Sequence, residues 1–197
     1  MMRVMAVAAT LTCLVGCRSR SGQGASALSQ APFQLAPPYD SLTDTSRWLT
    51  WRTSDFKLRY PERATILPDT DRFSGLTGRA LVWRFSQMQW LRVSVARLPT
   101  GPASQLVQFV DSIRRSRNES LNPDWRMVPA SPLVLSHFPA LELRPDCGDC
   151  EAHEVYVALP RTRLAFSFSL EQGLPYTYKQ QEQLYRLILT TLSEPVL

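Results

Sequence analysis

Arg163-Leu164-Ala165-Phe166-Ser167-Phe168-Ser169-Leu170 is the stretch on which the reading of the fold turns. Leu164, Phe166, Phe168 and Leu170 alternate with Ala165, Ser167 and Ser169. A period of two sends successive side chains to opposite faces, so this segment reads as a strand with one strongly apolar face. Working upstream, Glu154–Leu159, Ala140–Arg144 and Arg126–Leu135 read as further strands, separated by short turn-forming stretches. Before them, Leu106, Phe109, Val110 and Ile113 fall on one stripe at helical spacing and predict a helix over Ala103–Arg117. Earlier still, Leu91–Arg97, Arg79–Phe85 and Phe56–Tyr60 alternate like strands, while 61–78 reads as loop. Downstream, Leu184, Leu187, Ile188 and Thr191 or Leu192 form the stripe of a closing helix from Tyr178 to Leu192, and Thr177 and Gln180 have capping-box spacing.

The order is strands, helix, strands, helix, with short loops between strands. That favours an α+β fold: a mainly antiparallel sheet with two amphipathic helices packed on it. The chain of 197 residues, 44% hydrophobic and 20% charged, is large enough for one domain with a real core. The 15 Pro against 8 Gly fit a strand-rich body with punctuated loops. The net charge of +5 is not concentrated on one stripe. Its densest run, Arg114, Arg115 and Arg117, closes the predicted helix, where cations oppose the negative helix end. No nucleic-acid partner is expected.

The first residues carry a different pattern. Arg3 is followed by the uncharged run Val4–Val15, too short to span ~30 Å of hydrocarbon, and then by Leu14-Val15-Gly16-Cys17. This tetrapeptide resembles the lipobox of bacterial lipoproteins. The resemblance implies a signal peptide over 1–16, cleavage before Cys17 and a lipid anchor on the Cys17 thiol, which would leave Cys13 in the discarded segment. It also implies export and attachment to the cell envelope. In a host with two membranes, Arg18 in place of Asp favours the outer membrane, on its periplasmic side. Residues 17–46, small and polar and then Pro-containing, read as a tether holding a domain of residues 47–197 off the bilayer.

The early Trp48, the strand Phe56-Lys57-Leu58-Arg59-Tyr60-Pro61, the mid-chain helix, the four-strand block and the closing Leu187-Ile188-Leu189-Thr190-Thr191-Leu192 together resemble the PsbP/Mog-like domains. The resemblance covers about residues 48–195. It implies helices on both sides of the sheet and a binding or assembly role without catalysis; it transfers no binding residue.

Cys147-Gly148-Asp149-Cys150 is the one chemical constellation in the body, at the turn between two predicted strands, with His153 following. Three readings compete. An exported chain favours a local disulfide between Cys147 and Cys150. A metal site would use Cys147, Cys150 and His153, but lacks a second cysteine pair, and His137 completes a set only if the fold brings it near. A redox centre needs a CxxC at a helix N-terminus, whereas the residues after Cys150 read as strand. Glu151 excludes a CxxCH haem site.

No G-x-S-x-G elbow, Walker loop or Rossmann glycine pattern is present, so no cofactor is expected and a catalytic role is disfavoured. Trp48, Trp51, Trp83, Trp90 and Trp125 line either a core or a cleft. The expectation is a membrane-anchored, non-catalytic module with a protein partner or small ligand; the alternative is thiol- or metal-dependent chemistry at the Cys147/Cys150 hairpin.

Overall fold

A computed structural model describes residues 37–69, 78–86, 88–99, 101–120, 126–135, 137–146 and 152–195. In chain order the elements are α1 (Tyr39–Thr43), β1 (Leu49–Arg52), β2 (Lys57–Tyr60), β3 (Thr65–Asp69), β4 (Gly78–Arg84), β5 (Trp90–Leu98), α2 (Leu106–Ser120), β6 (Ser131–Leu135), β7 (Phe138–Leu143), β8 (Ala152–Ala158), β9 (Arg163–Ser169) and α3 (Tyr178–Thr190). Among the described residues β3 to β9 form one sheet in the order β3-β4-β5-β9-β8-β7-β6, and every pairing is antiparallel. β1 and β2 form a separate hairpin. The chain is an α+β domain with helices packed on a mainly antiparallel sheet.

The alternation read in β9 sorts its side chains between two cores. Leu164, Phe166 and Phe168 join Leu81, Trp83, Leu91, Val93, Val95, Val155 and Val157 in one buried cluster. That cluster is covered by Leu184, Tyr185, Ile188 and Leu189 of α3, by Leu42 of α1 and by Trp51, Phe56 and Leu58 of the hairpin. Ala165 faces the other way, with Ala96, Leu98, Leu141, Leu143, Tyr156 and Ala158, under Leu106 and Val110 of α2. Small residues on this second face let α2 approach closely, and it lies against β7 and β8. Each large apolar side chain buried this way contributes roughly 1.5–3 kcal/mol.

Four features differ from the sequence reading, each for a tertiary reason. The folded body starts earlier than residue 47. α1 lies within the segment read as tether, with Leu42 2% exposed, the Tyr39 hydroxyl donating to the Gln180 carbonyl at 2.9 Å and the Tyr176 hydroxyl donating to the Pro37 carbonyl. The stretch read as loop over 61–78 contains β3, an edge strand whose Pro68 needs no outer partner. The strand expected over Arg126–Leu135 is divided: Met127 makes an isolated bridge to Pro145, and regular pairing begins at Ser131. The hairpin β1–β2, half of which was not foreseen, is stitched to the end of the chain, Lys57 N–H donating to Ser193 O at 2.8 Å and Ser193 N–H to Lys57 O at 3.0 Å.

The capping box of α3 is present, with Gln180 N–H donating to Thr177 Oγ1 at 3.3 Å and Thr177 N–H donating to Gln180 Oε1 at 2.9 Å. Among the described residues no helix is long and apolar enough to cross a membrane.

Candidate functional site at the base of the 144–152 connection

β7 and β8 are the strands that flank the Cys147–Cys150 sequence. Cys147 and Cys150 themselves, like Cys17, lie outside the described residues, as does Trp125. What is described is the base on which that connection stands, and it is charged on both faces. Glu142 opposes Val155 and Leu143 opposes Glu154, so the two carboxylates occupy adjacent rungs and point to opposite sides of the sheet.

Glu142, 7% exposed, faces α3. It accepts hydrogen bonds from Arg144 at 2.8 Å and from Arg186 of α3 at 3.2 and 3.3 Å. His153 Nδ1 lies 3.2 Å from Glu142 Oε1. A carboxylate can only accept, so Nδ1 carries the proton in this pair. Arg186 also holds Glu182, one helical turn before it, at 2.9 Å. Burial alone would raise the Glu142 carboxyl, but the hydrogen bonds from His153 and Arg144 and the charges of Arg186 and Arg144 outweigh it, bringing the group down to about 2. Tyr185 lies in the same layer, its ring stacked on Phe168 at 4.4 Å between centroids. Its buried hydroxyl has no hydrogen-bond partner among the described residues. Burial, with the charges of Glu142 and Glu154 added, pushes that hydroxyl well above its ordinary range.

Glu154, also 7% exposed, faces α2. Arg117 reaches it from the helix at 2.6 Å, and the Tyr156 hydroxyl donates to its other oxygen at 2.6 Å. Burial and the Glu154 charge raise the Tyr156 hydroxyl. The basic run at the end of α2 therefore does more than oppose the helix end: Arg114 and Arg115 pair with Asp111, and Arg117 ties the helix to the sheet. Asn118 adds a second tie, its side-chain amide bonded both ways to the Met127 backbone at 2.7 and 3.1 Å.

His153 was foreseen as a possible ligand, and the fold turns it inward beneath α3. His137 occupies an exposed turn against the Phe138 ring, between β6 and β7 and therefore at the opposite end of β7 from Glu142. Among the described residues no group of three His, Cys, Asp or Glu side chains is placed to hold a metal. Trp48, Trp51 and Trp83 are core residues. Glu142, Glu154, Arg117 and Arg186 were not singled out from the sequence. Arg186 is 44 residues from Glu142, and no periodicity connects them.

Two clefts lie at the other end of the sheet. One, of about 160 Å³, is lined by Ser54, Asp55, Leu159, Arg161, Glu194 and Pro195. The other, of about 110 Å³, lies between the β1–β2 connection and the ends of β4, β5 and β9.

No family model and no curated protein matches the chain. Among solved structures it is similar to a crystal structure from Bacteroides thetaiotaomicron VPI-5482, with 11% identity, a TM-score of 0.39 and coverage of 72% of this chain. The match spans 45% of that protein's length, and at this similarity no activity transfers from it.

Proposed function

We propose that this chain is an exported lipoprotein, anchored to the cell envelope through Cys17, whose α+β domain is a non-catalytic binding or assembly module. The observation that carries the reading is Leu14-Val15-Gly16-Cys17 at the end of an uncharged run that is too short to span a bilayer. Two acyl chains already give stable attachment, at ~0.8 kcal/mol for each buried methylene. Two features of the domain support the module half. The buried carboxylates Glu142 and Glu154 are committed to arginines that fasten the two helices, which is architectural work. Among the described residues, the clefts of about 110 and 160 Å³ are smaller than the ~300–1,000 Å³ typical of pockets that engulf a small molecule, and suit single side chains of a larger partner. The resemblance to PsbP/Mog-like domains points the same way.

The test is metabolic labelling with palmitate. The parent protein incorporates label, and Cys17→Ala loses it and accumulates as an uncleaved precursor or a soluble species. Labelled Cys17→Ala protein would refute the anchor. Capture from solubilised membranes with the lipidated parent then identifies the partner.

One observation favours a second reading, metal chemistry at the hairpin. A histidine whose Nδ1–H is held by a carboxylate, as Glu142 holds His153, is the usual arrangement behind a metal-ligating imidazole. In that reading the Nε2 of His153 joins Cys147 and Cys150. Bound zinc in the purified full chain, lost on Cys147→Ser, would establish it. Two thiols that become titratable only after reduction would establish the disulfide instead.

A further inference from the structure

The 110 Å³ cleft has an apolar floor and a cationic edge. Trp51, Phe56, Val95 and Leu164 line it and are 6%, 5%, 4% and 1% exposed, and Trp51 meets Phe56 edge-on at 5.2 Å between ring centroids. Gly78 keeps β4 close to β3 here: a Cβ at that position would stand 2.9 Å from the Asp69 carbonyl oxygen. Arg79 and Arg97 complete the lining.

The register explains why two arginines meet. Arg79 is directly opposite Val95, and Leu164 is directly opposite Arg97, so both cations flank Val95 on one face. Diagonal neighbours of this kind are ~7–8 Å apart, within reach of each other for long side chains. One carboxylate stands nearby, Asp55, 3.5 Å from Arg97, whose side chain is 58% exposed. The Arg79 side chain makes no hydrogen bond or ion pair with a described residue. Among its described lining residues the cleft sets two cations and one anion over an apolar floor, so a ligand anion would complete the charge balance.

Size narrows what would supply it. At about 110 Å³ the cleft is smaller than the ~150 Å³ cavity that accepts benzene, a size that suits one side chain. The ligand must carry a carboxylate beside a compact apolar group. In a protein, the C-terminal residue bears both on the same carbon. Arginine forks receive a carboxylate through paired, charge-assisted hydrogen bonds. The site lies towards the start of β9, whereas Tyr176, which follows β9, holds Pro37, where the described chain begins. The cleft is therefore at the end of the sheet away from the lead-in to residue 37.

We propose that this cleft binds the C-terminal residue of a partner protein, its apolar side chain on Trp51, Phe56, Val95 and Leu164 and its terminal carboxylate between Arg79 and Arg97. The inference rests on the binding-module reading and gives it a site and a partner chemistry. It is tested on the full chain in detergent by fluorescence anisotropy of N-terminally labelled Ala-Ala-Ala-Leu, as free acid and as C-terminal amide, with unlabelled N-acetyl-leucine as competitor. The acid binds, and the amide binds at least about tenfold more weakly, a loss of about 1.4 kcal/mol. The double variant Arg79→Gln, Arg97→Gln weakens the acid at least as much. Asp55→Asn, which removes the competing carboxylate, tightens it. Equal binding of acid and amide, no effect of the arginine variant, or no binding at millimolar peptide overturns the site. N-acetyl-leucine carries both recognised groups and competes; its failure to displace the peptide overturns the site. Palmitate labelling is unaffected by any of these outcomes, so failure here and failure of the anchor are read separately.

Discussion

The two ends of the sheet treat charge in opposite ways. Where β7 leads towards β8, Glu142 and Glu154 are buried on opposite faces, and Arg186 and Arg117 close over them from α3 and α2. At the other end Arg79 and Arg97 sit together on one face with Asp55 as their nearby acid. A carboxylate buried beneath a helix must find partners, because an unpaired buried charge costs several kcal/mol. An arginine at an open edge keeps its hydration and tolerates an unmatched neighbour. The first end is thus fixed by the fold, and the second is left free to meet something outside it.

The largest effect that would break this contrast is at Glu142. Its carboxyl falls from an ordinary 4.5 to about 2, which at ~1.4 kcal/mol per pH unit corresponds to roughly 3 kcal/mol of stability. Because the folded value is the lower one, this stabilisation is complete above 4.5 and is lost as the pH falls towards 2. Glu142→Gln should lower the melting temperature by about 6–12 °C at neutral pH and flatten the acid limb of the stability curve. A variant with an unchanged acid limb would show that Glu142 is not the anchor of this end.

On the α2 face the expected effect is smaller. Tyr156→Phe removes the hydroxyl that donates to Glu154 but leaves Arg117 in place, so about 2 kcal/mol should be lost in chemical denaturation. A loss as large as that of Glu142→Gln would mean that the two faces are not independent.

Tyr185→Phe should move stability the other way. Its hydroxyl is buried without a partner, and deleting it removes a desolvated polar group while the stacking on Phe168 remains. A gain of about 1 kcal/mol is expected. A loss would reveal a polar partner of that hydroxyl and extend the Glu142 network to it.

The smallest effect belongs to the cleft. Arg79→Gln with Arg97→Gln should change unfolding free energy by no more than about 0.5 kcal/mol, because these side chains are exposed and carry little of the fold. A loss of 2 kcal/mol or more would place them with the structural charges of the opposite end.

The contrast also marks what could be read from the chain. Periodicity is local, so β9 was legible from Leu164, Phe166 and Phe168, and α2 from Leu106 and Val110. The capping box was legible because Thr177 and Gln180 lie within one turn. β3 was not, because five residues with a proline on a sheet edge carry no strong alternation. α1 was not, because Leu42 is one apolar residue among polar neighbours, and the core that buries it is assembled from segments far along the chain, α3 among them.

The sequence by itself determined the α+β class, the two amphipathic helices and which face of β9 carries its large apolar side chains, because each follows from the spacing of neighbouring side chains. Tertiary structure alone decided the strand order, the partners of Glu142 and Glu154, and the meeting of Arg79 with Arg97. Those depend on register between segments distant in the chain, where a shift of one residue would send every side chain to the opposite face.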